Sequence, residues 1–275
     1  MKVLVTGYKG FIGSYISNYL TEQGHEVEGY DWLENVVPHV EGYDWVVHCG
    51  AISDTTERDV EKVWQHNYEF TLRLLQICDH FGTNIQIAST AAVYGNMTEF
   101  NESSAVYPQT PYAWSKFLID KFLNDNGYDS FSMNVQTFRY FNVYGPGEGH
   151  KGDQMSLVSK FQKQASQDGV IRLFEDSDKY FRDCVCVHDI AVIQEKLMHT
   201  DEAGLFNMGT NKAPSVEEVA RTIAKKYDAK IEYIPMPDKL KSQYQEYTCA
   251  DNTKLHNAVP IRHWMTVEEY INATD

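Results

Sequence analysis

Lys2-Val3-Leu4-Val5-Thr6-Gly7-Tyr8-Lys9-Gly10-Phe11-Ile12-Gly13 opens the chain with a short β-rich apolar run and three glycines, two residues intervening between each and the next. Apolar residues then recur at helical spacing over residues 14–23, so the stretch reads as strand, glycine turn, helix. Glycines here permit a tight turn and let the backbone approach a pyrophosphate, which then sits at the helix N-terminus. The apolar run is too short for a signal peptide or a membrane span. Gly7, Gly10, Phe11, Ile12 and Gly13 are the first candidate cofactor contacts.

Working outward, residues 25–30 read as a second strand ending in Asp31, followed by Trp32. A carboxylate at that place accepts hydrogen bonds from an adenosine ribose and repels a 2′-phosphate. No Lys or Arg follows until Arg58, so NAD is favoured over NADP. Residues 44–51 read as a buried strand ending in Cys49-Gly50-Ala51, small enough for a ribose and phosphate to pass. Asn67 falls in a helix over residues 59–81, where it either organises the site or is an inert buried polar group. Residues 84–88 and 135–139 are later strands. The alternation through about residue 142 predicts an α/β, Rossmann-like doubly wound parallel sheet.

A second constellation is Tyr112-Ala113-Trp114-Ser115-Lys116, preceded by Ser89-Thr90-Ala91-Ala92-Val93-Tyr94-Gly95. Residues four apart share a helix face, so the Tyr112 phenol and the Lys116 ammonium can enter one site. A nearby cation is expected to lower the phenol's pKa toward the working pH. Such a phenol can accept a proton from a sugar hydroxyl while hydride leaves the same carbon, with Thr90 holding that alcohol. Taken alone, the pattern is equally that of a surface Tyr and Lys on an ordinary helix; the glycine turn gives it weight.

Composition sets limits. The chain has 275 residues and a formal charge of −15, which disfavours nucleic acid and anionic membranes as partners. An anionic substrate must then be held by locally placed cations. Five cysteines without metal-like pairing suit a reducing cytoplasm, and the ten histidines contain no His-x3-His pattern, so no metal is expected. Past residue 145 the pattern loosens into a glycine-rich loop, a helix near residues 155–167 and a strand over 171–174. A further strand over Lys230–Ile234 lies between two capping boxes, Ser215 with Glu218 and Thr266 with Glu269. Residues 183–208 are expected to return to the nucleotide domain. The expected division is 1–142 plus about 183–210 as the NAD-binding domain. Residues 143–182 plus 211–275 form a smaller C-terminal α/β substrate lobe.

These residues together resemble the extended short-chain dehydrogenase/reductases of the nucleotide-sugar epimerase type. The narrower resemblance is to the ADP-L-glycero-D-manno-heptose 6-epimerases. It rests on residues 48–57, on Phe138 through Gly152 with its Gly149-His150-Lys151-Gly152, on Ile231 through Lys241, and on Tyr244-Gln245 and residues 248–251. The resemblance implies a nucleotide-diphosphate sugar as substrate, NAD or NADP as cofactor, and a homo-oligomer assembled through the helices carrying Asn67 and Tyr112. It implies that Tyr112 is the acid/base for one epimer and Lys151 the group serving the other. By its residues alone, Lys151 would be a solvated loop lysine. Ser53, Thr90, Asn142, Asp153, Phe174, Arg182 and Tyr244 fall where the family contacts substrate. Phe174 could instead be core and Arg182 a surface salt-bridge partner. Val143 joins the implied cofactor contacts. Two departures stand out: the stretch from Asp31 to Asp44 is too short for the helix and strand that usually flank adenine, and the basic residues that hold NADP's extra phosphate are missing. Ala91 and Ala92 lack the acidic groups a dehydratase carries there. A UDP-hexose 4-epimerase, or a silent dinucleotide-binding sensor or scaffold, are the alternatives.

Overall fold

The computed structural model describes residues 1–32, 36–237 and 245–274. Strand β1 (Lys2–Thr6) alternates its side chains between two cores, as a strand buried on both faces must. Val3 and Val5 join Ile16, Leu20, Phe138, Ile190 and Phe206 on one face. Leu4 joins Val46, Leu74, Ile85, Ile87 and Leu123 on the other. Helix α1 (Phe11–Glu22) starts earlier than the periodicity suggests, because Gly10 itself occupies the N-cap position. It leads to β2 (Glu26–Tyr30) and then to β3 (Trp45–His48). Among the described residues between Tyr30 and Trp45 there is no helix, and no strand longer than a single bridge residue at Val36.

The next rod, expected as one helix, is α2 (Val60–Val63), a π-helical turn (Trp64–Glu69) and α3 (Phe70–Phe81). The chain continues through β4 (Asn84–Thr90), α4 (Pro111–Asn126), β5 (Val135–Tyr140) and β6 (Asn142–Tyr144). After a 3-10 segment (Glu148–Gln154) come α5 (Leu157–Asp168), β7 (Val170–Phe174), β8 (Phe181–Arg182) and β9 (Cys184–Cys186). Then follow α6 (Val187–Leu197), β10 (Gly204–Met208), α7 (Val216–Tyr227) and β11 (Lys230–Ile234). The last elements are β12 (Tyr247–Thr248), α8 (Thr253–Ala258) and α9 (Val267–Ala273).

One parallel sheet of six strands runs β10-β5-β4-β3-β1-β2. The order reverses direction at β1, which is the doubly wound topology, and it leaves a crevice at the carboxyl ends of the strands. β2 is the edge, and its mostly exposed side chains fit a strand that no further strand covers. Cys184 and Cys186 point the chain back toward this sheet through α6, whose Ile190 and Ile193 pack on the same core as β1. A separate core of Val158, Phe161, Ile171, Leu173, Val219 and Ile223 ties α5 and α7 to β7, which pairs in parallel with β11. Both expected capping boxes are present, on α7 and α9. No helix among the described residues is long and apolar enough to cross a membrane.

Candidate active site

The carboxyl ends of β1, β2, β3, β4 and β5 open into a cleft of about 610 Å³. Gly7 turns the chain out of β1 with φ +69°, and a Cβ on it would lie 2.7 Å from Gly50 Cα. A Cβ on Gly13 would lie 2.3 Å from the Gly7 carbonyl oxygen. The turn is therefore closed against the β3 loop in a way only glycine permits. Gly10 supplies no side-chain cap to α1, so the first N–H groups of the helix are left for an outside acceptor. That is the donor set a pyrophosphate requires, and the residues present fit a dinucleotide.

The cleft gathers most of the expected residues: Gly7, Gly10, Phe11, Ile12, Gly13, Asp31, Trp32, Cys49, Gly50, Ala51, Ser53, Thr90, Tyr112, Lys116, Val143 and Lys151 all line it. Thr110 caps α4 by accepting from the Ala113 N–H at 3.1 Å, and Pro111 occupies the first helical turn. These two residues fix where the helix begins and so place Tyr112 on its first turn. Thr90, at the end of β4, hydrogen-bonds the Tyr112 side chain.

Electrostatics correct one expectation. Burial pushes the Tyr112 phenol above its ordinary value; the Thr90 hydrogen bond pulls it partly back, and the charge of Asp120 pushes it up again. Lys116 is not what decides it in this state. Its own ammonium, 3% exposed, is lowered by burial to about 8, with the charges of Cys49 and Asp120 acting in its favour. Asp120 lies one turn further along α4 and pairs with Arg139 of β5 at 2.8 Å, both side chains fully buried. Lys116, Asp120 and Arg139 thus form a line of alternating charge that runs inward from the cleft wall.

A second correction concerns the adenosine corner. The sequence offers no cation after Asp31 before Arg58, yet the turn folds Lys9 onto Asp31 at 3.0 Å. The Trp32 ring stacks on His66, with centroids 3.6 Å apart, so the cleft has an aromatic wall where the connection to β3 is short. Lys9 and His66 were not legible as site residues, because each meets its partner only through tertiary folding.

Asn67 does not face the cleft. Its carboxamide accepts from the Ile52 N–H at 2.8 Å and donates to the Ile52 carbonyl and Ser115 Oγ, both at 3.0 Å, tying the β3 loop to α4. Asn142, Asp153, Phe174 and Arg182 are also absent from the cleft lining. Asn142 donates to the Asp183 carbonyl at 2.9 Å, and Asp153 is exposed. Phe174 ends β7, half-buried. Arg182 donates to the backbone carbonyls of Phe181 and Gln245. Tyr244, and part of the 231–241 motif, lie outside the described residues.

Lys151 comes to the cleft from the 3-10 segment, its amine 5.0 Å from the Phe11 ring centroid and 3.5 Å from Glu148 Oε2. Glu148 is a buried anchor that the motif reading passed over: it accepts from Ser156 N and Oγ at 2.6 Å and from Ser159 Oγ at 2.7 Å. It fixes the loop carrying Lys151 to the start of α5. His48, by contrast, is a core residue, hydrogen-bonded to Thr6 and Thr71 and held neutral by burial at about 3.

Sheet, glycine turn and cleft define a Rossmann-type dinucleotide-binding protein. Residues 3–209 match the profile described as the NAD dependent epimerase/dehydratase family, and the chain belongs to that family. Among solved structures it is similar to the ADP-L-glycero-D-manno-heptose-6-epimerase of Helicobacter pylori, with a TM-score of 0.85 and 25% identity over 99% of this chain and 94% of that one. The UDP-glucose 4-epimerase of Thermus thermophilus, solved in complex with NAD, gives a TM-score of 0.78 and 25% identity over 99% and 98%. The UDP-N-acetylglucosamine 4-epimerase of Methanobrevibacter ruminantium shares the fold, with a TM-score of 0.85 at 21% identity over 98% and 97%.

Proposed function

We propose that this chain inverts a stereocentre in the sugar of a nucleotide-diphosphate sugar, oxidising the carbon and then reducing it on its other face. The observation that carries this reading is the convergence of Thr90, Tyr112, Lys116 and Lys151 on the cleft that holds the glycine turn. Bound NAD would keep the hydride between the two halves of the reaction, leaving no net redox change. The glycine turn would hold its pyrophosphate, Asp31 its adenosine ribose, and Cys49-Gly50-Ala51, Val143 and Lys116 its remaining length.

Tyr112 Oη, when deprotonated, takes the proton of the sugar hydroxyl and later returns one to the carbonyl oxygen. Burial opposes the phenolate, so the Lys116 ammonium one helical turn away has the task of making it available. Thr90 Oγ1 orients the same hydroxyl. Inversion presents the carbonyl in a second orientation, and Lys151, held by Glu148, is the proton donor for that one. Ser53 at the cleft wall contacts the sugar. Residues 143–182 and 211–275 are read as the lobe that selects the substrate, with Asn142, Phe174 and Arg182 shaping its entrance rather than the reacting centre.

The favoured substrate is an ADP-heptose-like sugar inverted at a carbon remote from the nucleotide, supported by the Gly149-His150-Lys151-Gly152 stretch, whose His150 and Lys151 both line the cleft. A UDP-hexose 4-epimerase is the second reading, supported by equal identity to the Thermus enzyme. The test is incubation with a panel of ADP- and UDP-sugars in deuterated and ordinary water. An inverted centre with no net cofactor change is expected. NAD binding with no turnover of any sugar would establish a sensor or scaffold instead. Tyr112→Phe should lower turnover by about 10²- to 10⁴-fold while cofactor binding persists. Lys151→Ala should slow single-turnover oxidation of one epimer more than of the other.

A further inference from the structure

At the opposite end of the sheet from the cleft, three side chains that the reaction does not use converge. His25 stands just before β2, Glu195 on the last turn of α6, and His199 one turn beyond it. The three donor atoms all lie within 4.8 Å of one another. Glu195 Oε1 is 3.0 Å from His199 Nε2 and 3.5 Å from His25 Nε2. Two ligands of one zinc ion, each at about 2.1 Å in tetrahedral geometry, stand about 3.4 Å apart.

We propose that His25, Glu195 and His199 form a binding site for a divalent first-row transition cation, zinc above all. Three observations support it besides the spacing. The His25 side chain is 9% exposed, yet its Nε2 has no hydrogen-bond partner; it is a buried nitrogen aimed at the carboxylate without the geometry of a hydrogen bond to it. A ligand there satisfies it. His25 Nδ1 lies 3.3 Å from the Met1 amino nitrogen, which places the ring with Nε2 toward the cluster. The cluster sits at the C-terminus of α6, where the helix carbonyls favour a cation. Two imidazoles and a carboxylate select a borderline metal over magnesium or calcium, which prefer all-oxygen shells. The fourth position belongs to water, since His199 is largely open to solvent.

The site joins three segments of one core: the start of β1, the turn between α1 and β2, and the end of α6. Its role is to clamp them, so its signature is stability and not turnover. The experiment uses the full chain without a histidine tag, stripped by chelator and titrated with zinc chloride. One equivalent should bind, and thermal unfolding should rise by roughly 5 °C at a hundredfold excess over Kd, with epimerase activity unchanged. The exposed His199→Ala variant, which disturbs little packing, should bind zinc at least tenfold more weakly, and Glu195→Gln likewise. Cobalt(II) should give a tetrahedral visible spectrum without a thiolate charge-transfer band. Zinc binding that survives unchanged in His199→Ala, a thiolate band from one of the cysteines, or no stabilisation of the parent chain would each overturn the proposal.

Discussion

Lys116 shows how a single side chain sets stability against chemistry. Its amine is 3% exposed, and burial lowers it from 10.5 to about 8. Keeping it charged at neutral pH costs on the order of 3 kcal/mol, with the compensation from its neighbours already counted. Because its folded value lies below its unfolded one, unfolding takes up a proton between pH about 8 and 10.5. Stability due to this group therefore rises with pH across that window. Lys116→Met should stabilise the protein by about 1–3 kcal/mol in urea unfolding at pH 7, lose that advantage toward pH 10, and abolish turnover. A Met variant no more stable than the parent at pH 7 would show that burial costs this ammonium nothing. Asp31 poses a different balance. In the proposed function its carboxylate takes the adenosine ribose, and Lys9 at 3.0 Å half-neutralises it. Asp31→Asn frees Lys9 for a 2′-phosphate, so the NADP-to-NAD affinity ratio should rise at least about tenfold, equivalent to ~1.4 kcal/mol. Fluorescence quenching of Trp32 by each dinucleotide reads this without turnover, and an unchanged ratio would remove Lys9 from the argument.

At the scale of elements, α1 and α4 are the two helices whose starting points create the site. The α1 start depends on Gly13 lying against Gly7, where a Cβ would approach the Gly7 carbonyl oxygen to 2.3 Å. Gly13→Ala must push the helix off the turn; a loss of about 1–3 kcal/mol in stability and a clear fall in NAD affinity are expected, the latter measured by calorimetry. A variant that keeps both would mean that the turn relaxes more freely than its backbone contacts allow. The glycine turn ahead of α1 and the starts of α7 and α9, at Ser-x-x-Glu and Thr-x-x-Glu, were legible because local chemistry writes them; Thr110-Pro111 marks the start of α4 in the same way. The strand alternation made the doubly wound sheet readable for the same reason, and the short link after Asp31 correctly signalled an uncovered β2 edge. What escaped was set by distance in the chain. Lys9 reaching Asp31, His66 stacking on Trp32, and Glu148 gathering Ser156 and Ser159 are meetings between elements, with no periodicity to announce them. Asn67 was placed in the right helix, but its burial against Ile52 and Ser115 makes it a tie between elements. The phenol pKa was misjudged because charge spacing is visible in a sequence whereas desolvation is not.

At the scale of the whole molecule, the described residues include an apolar surface that the chain's own packing does not explain. Val60, Trp64 and Trp114 are 61%, 39% and 48% exposed, and with Val63, Pro111 and Leu118 they line a shallow groove between α2 and α4. Large aromatic side chains exposed together in this way mark contact surfaces more often than free ones. The groove runs along the helix that carries Tyr112 and Lys116 on its inner face, so whatever covers it also braces that wall of the cleft from behind. A second copy of the chain is the occupant the family resemblance implies, and a two-fold contact would bring the same groove from each copy together. Light scattering at micromolar concentration should therefore give twice the chain mass of 31.6 kDa. Trp114→Glu, which places a charge in that seam while leaving the core untouched, should shift the species to a monomer with native circular dichroism. If bracing matters, the monomer should also show a lower melting temperature and faster hydrogen exchange along α4 than along β1. A parent chain that remains monomeric up to high micromolar concentration would assign the groove to a different partner and leave α4 supported only by Asn67, Asp120 and the core beneath it.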